Sequence, residues 1–205
     1  MIRITDLSYS YGEKLVLKNI NLTVHDGEKI GIVGQSGSGK STLIKLISGL
    51  YKVQKGSIQV DGKTAVVMQS LNLFPLTIRE NITCGHQIDD EKIMQAVKIA
   101  QLEEWIGTLP QGLDTFVGVR GGNVSGGQAQ RISIARAVAL DAPNLILDEA
   151  TSALDQNTSE QLIHSLNEWW KNKTVISIAH RKEALEFCDR IYRMEEGILT
   201  GDNLC

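Results

Sequence analysis

Apolar and polar residues alternate along the opening stretch MIRITDLSYSYGEKLVLKNINLTVHDGEKIGIVG, with turn signals at Gly12 and at Asp26-Gly27. Alternation of period two predicts short strands, antiparallel at first because tight turns join them. KIGIVG breaks the alternation: it is a compact apolar run ending at Gly34, the pattern of a buried strand. STLIKLISGL then shifts to a helical period, with Leu43, Leu46, Ile47 and Leu50 on one face.

Strand character returns at GSIQV and TAVVMQ. DDEKIMQAVKIAQLEEWI predicts one amphipathic helix capped by Asp89 or Asp90, with Ile93, Ala96, Val97 and Ala100 inward. The glycine-rich VGVRGGNVSGG leads into another helix. NLILDE and TVISIAH predict buried strands separated by the helical SEQLIHSLNEWW. Strands alternate with helices at both ends, and helices fill the middle. The expected fold is α/β: a parallel-sheet core over 1–70 and 141–205, antiparallel strands at its start, and an inserted helical subdomain over about 71–140.

Composition narrows the class. A chain of 205 residues can fill one core and carry an inserted subdomain. Apolar residues at 42% and charged residues at 22% exclude a disordered chain. A formal charge of −3 gives no support to a nucleic-acid partner, whose binding face would be basic. Arg3, Asp6 and Glu13 interrupt any signal-like apolar run near the start. No apolar segment reaches the roughly 18–20 residues that cross a bilayer, so any membrane would come from another polypeptide. Cys84, Cys188 and Cys205 form no CxxC pair or metal spacing and read as reduced, structural thiols. His25, His86 and His164 read as surface or loop residues, and Trp169-Trp170 as packing.

GQSGSGKS, Gly34 to Ser41, fits G-x-x-x-x-G-K-[ST] without a mismatch, between an apolar strand and an amphipathic helix. Small residues let the backbone N–H groups of Gly34, Ser36, Gly37, Ser38 and Gly39 converge on phosphate oxygens, and the helix start adds a favourable dipole. Lys40 can reach the β and γ phosphates, the Ser41 hydroxyl can ligate Mg²⁺, and Thr42 follows it into the helix. NLILDE supplies the partner acids: Asp148 for the metal and Glu149 to polarise a water. Mg²⁺-dependent binding of a nucleoside triphosphate follows.

A second glycine turn, Ser125-Gly126-Gly127-Gln128, heads another helix. An N-cap explains the serine. It does not explain two glycines, each costing about 1 kcal/mol relative to alanine within a helix. They imply close approach to the backbone, for which an anion at a helix start is the candidate.

The ordered set GQSGSGKST, Gln69, VSGGQ, LILDEATSALD and His180 resembles the ATP-binding domain of ATP-binding-cassette (ABC) transporters over essentially the whole chain. That resemblance implies a P-loop NTPase (RecA-like) core, ATP and Mg²⁺ as ligands, and head-to-tail pairing with a second such domain, identical or not. Each ATP would lie between one P-loop and the partner's Ser125, Gly126, Gly127 and Gln128. By the same resemblance Tyr11 would stack on adenine, Gln69 would touch Mg²⁺ or the attacking water, Glu149 would be the general base, His180 would contact the γ-phosphate, and Asp155 would communicate across the pair. A transmembrane domain or subunit is the implied second partner, which places the domain on the cytosolic face of a membrane.

TIRENI, LPQGLDTFVG and GGQAQRISIARA look exporter-like. The chain departs from the family at Val124, where Leu is usual, and at Val119, where exporters usually carry a glutamate that contacts the membrane domain. The segment between GSIQVDG and VVMQ is also short, without a strand or helical turn common in the family. A soluble ABC ATPase outside transport and a regulatory ATP-sensing module are the competing readings; the absence of heptads disfavours the first, and Glu149 with His180 the second.

Overall fold

A computed structural model describes residues 1–69, 73–179 and 185–202 of the chain. The chain divides into two units, one of Met1–Val66, Pro143–Glu149 and Trp170–Cys205, the other of Val67–Ala142 and Ala150–Trp169.

The first unit holds two sheets. β1 (Ile2–Tyr11), β2 (Lys14–Val24) and β4 (Lys55–Val60) form an antiparallel sheet in the order β2-β1-β4. Its alternation sends Ile2, Ile4, Leu17, Ile20, Leu22 and Val24 inward. The second sheet has the order β5-β6-β7-β3-β8-β9, from β3 (Lys29–Val33), β5 (Thr64–Val67), β6 (Asn144–Asp148), β7 (Thr174–Ile178), β8 (Arg190–Glu195) and β9 (Ile198–Asp202). β6, β7, β3 and β8 run parallel, and β9 returns antiparallel to β8. Every residue of β6 and β7 is buried, which is why their sequences are apolar runs rather than alternations.

Register explains how residues far apart in sequence share one sheet edge. Ile178 of β7 pairs with Ile32 on one side and Asp148 on the other. The carboxyl ends of β3 and β6 therefore come out level, on the side where α1 (Lys40–Ile47) begins. α1 stops one turn short of the sequence expectation. Gly49 adopts a left-handed φ of 74° and ends it, leaving Leu50 64% exposed instead of on the apolar face.

The second unit is mostly helical: α2 (Ile78–Thr83), α3 (Asp90–Ile99), α4 (Glu103–Gly107), α5 (Gly126–Leu140) and α6 (Gln156–Trp169). α5 is buried on most of its circumference, with α2 and α3 packed against it. Gln101 Nε2 donates to Ser165 Oγ at 2.6 Å, joining the end of α3 to α6. The single helix expected from Asp89 to Ile106 is two. Asp89 caps α3 by accepting from the Lys92 N–H at 2.8 Å, but Gln101 takes a φ of 56° and the chain restarts at Leu102. Ile93, Ala96, Val97 and Ala100 are buried as the pattern predicts.

Candidate functional site

β3 delivers the chain into the loop Gly34–Gly39. At Gly34 a Cβ would lie 2.2 Å from the Met194 carbonyl oxygen, so no other residue fits. Gly37 (φ 80°) and Gly39 (φ 115°) turn the loop into α1, and Gly39 caps that helix without any side-chain bond. The first-turn N–H groups of α1 have no intrahelical acceptor, which leaves donors at this end of the helix suited to an anion.

Lys40 is buried, and its Nζ donates to the Gly34 and Gln35 carbonyls at 2.7 and 2.8 Å. Burial pushes its pKa down, against the opposing pull of the Glu149 and Asp148 charges. Ser38 Oγ is buried with no hydrogen-bond partner among the described residues. An orphaned hydroxyl inside a ring of glycines and backbone amides fits the tetrahedral oxygens of a phosphate, which would supply the missing partner.

Asp148 ends β6 almost fully buried and hydrogen-bonds the Ser41 side chain. Burial raises its pKa, and the neighbouring Glu149 charge raises it further, while the Ser41 bond and Lys40 pull it back. Glu149 is half-buried with a φ of 51°, its N–H held by the Ile178 carbonyl at 3.0 Å. A carboxylate and a hydroxyl in contact at a strand end are the hard oxygen donors that suit Mg²⁺. Among the described residues no group of three or more His, Cys, Asp or Glu side chains forms a metal cage. An ion here would need further oxygens from its nucleotide and from water.

Tyr11, 46% exposed at the end of β1, sets its hydroxyl 3.3 Å from Thr42 Oγ1 on α1. Its ring meets Tyr9 and Tyr51 edge-on at 5.2 and 6.0 Å. The aromatic ring is thus tied to the helix that follows the glycine-rich loop, a link invisible in the sequence. Between the loop and the β8–β9 hairpin lies a cavity of about 620 Å³ lined by Gln35, Ser36, Ser38, Glu195 and Glu196. Its two glutamates, one of them paired with Arg193 at 3.5 Å, make it a poor seat for phosphate.

The remaining candidates belong to the second unit or fall outside the described residues. Gln69 is exposed just beyond β5. Ser125 and Gln128 form a capping box on α5: Ser125 Oγ accepts from the Gln128 N–H at 3.2 Å, and Gln128 Oε1 accepts from the Ser125 N–H at 2.7 Å. Gly126 is exposed, whereas Gly127 has an internal reason to be glycine, since a Cβ would sit 3.2 Å from Leu154 Cδ2 and 3.4 Å from the Ala153 carbonyl oxygen. Asp155 precedes α6 and caps it, accepting from the Thr158 N–H at 3.0 Å and from its hydroxyl at 2.7 Å, bonds that hold its carboxyl low. His180 lies outside the described residues.

Two features escaped the sequence reading. Gln130 is wholly buried in α5, and its Oε1 accepts from the Ala153 N–H at 2.9 Å, fixing the segment that carries Asp155. A polar residue amid the alanines and isoleucines of α5 was the available signal. Phe74, Leu76, Phe116 and Val119 (74% exposed) also give this unit exposed apolar surface. Phe116 and Thr77 share an isolated bridge, which keeps Leu76 and Phe116 in neighbouring segments.

A sequence profile of the ABC transporter family matches residues 17–152. The ATP-dependent lipid A-core flippase of Desulfotalea psychrophila is 43% identical over 98% of this chain and 38% of its own length. That of Vibrio vulnificus (strain YJ016) is 40% identical over 97% of this chain and 37% of its own. The chain therefore spans a little over a third of the curated relatives it matches. Among solved structures, a bacterial Atm1-family ABC exporter with ATP bound superposes with a TM-score of 0.92 at 33% identity, covering 99% of this chain and 38% of that one.

Proposed function

The chain belongs to the ABC transporter family, and on that premise we propose that it is the ATP-binding and ATP-hydrolysing part of an exporter. The observation that carries this reading is the meeting of Ser41 with Asp148, and of Lys40 with the charges of Asp148 and Glu149, at one edge of the parallel sheet. A phosphate-binding loop beside buried acids is equipped to turn a nucleotide over as well as to hold it.

In this reading the amides of Gly34 to Gly39 and the Ser38 hydroxyl hold the phosphates, and Lys40 exchanges its loop carbonyls for phosphate oxygens. Ser41, Asp148 and Gln69 would hold Mg²⁺, which offsets negative charge on the transferring phosphate when bound. Glu149 takes the proton of an in-line water as general base. His180 stabilises the γ-phosphate, and Tyr11 offers its ring to adenine while Thr42 anchors its hydroxyl.

Ser125, Gly126, Gly127 and Gln128 serve the nucleotide of a second cassette. Ser125 accepts its capping bond through an oxygen lone pair, so its O–H remains available to donate to an anion from outside. The cap and the ligand do not compete. Asp155, fixed by its own cap and by the Gln130–Ala153 bond, communicates between the paired cassettes. The exposed Phe74, Leu76, Phe116 and Val119 support contact with a membrane-embedded partner, on whose cytosolic side the domain would sit. No helix among the described residues is long and apolar enough to cross a membrane.

Phosphate release and solution mass test the proposal together. Glu149→Gln is expected to lower the rate about 10²–10⁴-fold, the scale of a lost general base, while ATP still binds. Light scattering of this variant should show a monomer that becomes a dimer only with Mg-ATP. Hydrolysis at the parental rate would remove Glu149 from the mechanism. ATP binding with no change in mass would turn the pairing reading towards a non-identical cassette.

A further inference from the structure

The nucleotide loop leans on a turn that no motif marks. Glu196 and Gly197 join β8 to β9 with φ of 46° and 80°, the paired left-handed residues of a tight hairpin turn. The Gly197 N–H donates to the Ser38 carbonyl at 3.0 Å, and the Gly197 carbonyl accepts from the Lys18 N–H at 2.8 Å. The turn is thereby wedged between β2 and the loop. A Cβ at Gly197 would lie 2.2 Å from the Val16 carbonyl oxygen. At Gly39 it would lie 2.8 Å from Leu17 Cδ2 and 3.3 Å from Met194 Sδ, and at Gly34 it would strike the Met194 carbonyl. Three glycines thus let β2, the loop and the end of β8 close on one another.

The consequence follows from peptide geometry. In a planar trans peptide the C=O and the next N–H point in opposite directions. The Ser38 carbonyl is drawn to the hairpin, so the Gly39 N–H points away from it, at the cap of α1 where an anion binds. We propose that the Glu196–Gly197 turn is a positioning strut for the nucleotide site: its one amide holds the Ser38–Gly39 peptide in the orientation that offers Gly39 N–H to phosphate. This rests on the reading of the loop as a nucleotide site. Without the strut that peptide can flip, exchanging a donor for a carbonyl that repels phosphate. The turn touches no ligand, and Gly197 acts through Gly39.

Cys188 makes the test practical, because residues 1–187 prepared as a thioester can be joined there to a synthetic Cys188–Cys205 segment. One product has the native amide at 197 and the other a backbone ester, which removes the donor to Ser38 and otherwise only weakens the Glu196 carbonyl as an acceptor. Calorimetric titration with ATP, and with tripolyphosphate lacking the nucleoside, is expected to show both ligands weakened by the same factor in the ester chain. The loss of one hydrogen bond sets that factor at about fivefold. General loosening would lower the melting temperature without this matched loss in the folded chain. Equal affinity of the ester and amide chains would overturn the strut. An amide chain that binds neither ligand would overturn the nucleotide reading itself, a distinct result. Should the ester chain not refold, hydrogen exchange at the Gly197 amide of the unmodified protein decides: tripolyphosphate must slow it, by reciprocity of the coupling, and unchanged exchange would overturn the proposal.

Discussion

Replacing Ser38 by alanine is expected to stabilise the ligand-free protein and weaken its hold on ATP, two effects of opposite sign from one hydroxyl. Ser38 Oγ is buried and without a partner among the described residues, and a buried polar group left unsatisfied costs about 1–3 kcal/mol. Alanine removes that cost and fits the same space, so the free protein's melting temperature should rise by about 2–4 °C per kcal/mol. In the complex the same hydroxyl donates to an anionic oxygen, and losing a bond of about 1.5 kcal/mol weakens binding roughly tenfold. At ATP concentrations near 100 times the parental Kd, ligand stabilisation then shrinks from about 2.7 to about 1.4 kcal/mol. Differential scanning calorimetry with and without Mg-ATP reads both quantities. A variant that melts below the parent in the absence of nucleotide would refute the reasoning, because it would mean the hydroxyl is satisfied in the free protein. A variant with a full ATP-induced shift would refute the assignment of Ser38 to the phosphates.

Two further perturbations probe the buried polar groups. Gln130→Ala should cost about 1–3 kcal/mol in urea unfolding, since it strands the Ala153 N–H and opens a cavity in α5; an unchanged midpoint would show that the bond is dispensable. Asp148 gives a pH dependence of unusual sign. Its folded pKa lies above the ordinary 3.8, so the folded state binds more protons there and the contribution to stability falls as pH rises through the folded value. Asp148→Asn is therefore expected to be more stable than the parent at pH 7, with the advantage vanishing towards pH 3, and denaturant titrations at both values check this. A constant difference across the range would mean the carboxyl is not held high.

The parts legible from sequence are those fixed by local physics. KIGIV and NLILD show as buried strands because a doubly covered strand must be apolar throughout, and GQSGSGKS shows because its chemistry requires small residues at set spacing. Helix ends were less legible. Gly49 terminates α1 by the ordinary left-handed glycine signal, while the apolar pattern carries on to Leu50, which lies beyond the helix. Gln101 ends α3 in a left-handed conformation with no glycine to announce it. The meeting of Asp148 with Ser41 is legible only as a motif, because it depends on both Ile32 and Asp148 pairing with Ile178, a matter of strand order that no local window contains. The role of Glu196-Gly197 is less visible still, since it lies in a backbone hydrogen bond to Ser38.

Strand order also dictates when the nucleotide cradle can exist during synthesis. β3 and its loop leave the ribosome before either of their neighbours, for β3 is flanked by β7 and β8, whose paired residues run from Val175 to Arg193. Contacts of such sequence separation form slowly, because the intervening chain must first be closed into a loop. A ribosome paused before Thr174 therefore displays an intact glycine-rich loop while β3 has neither neighbouring strand beside it. The nascent chain cannot draw on ATP for stability until β7 and β8 have followed, and until β7 arrives β3 is an unpaired apolar strand in need of protection.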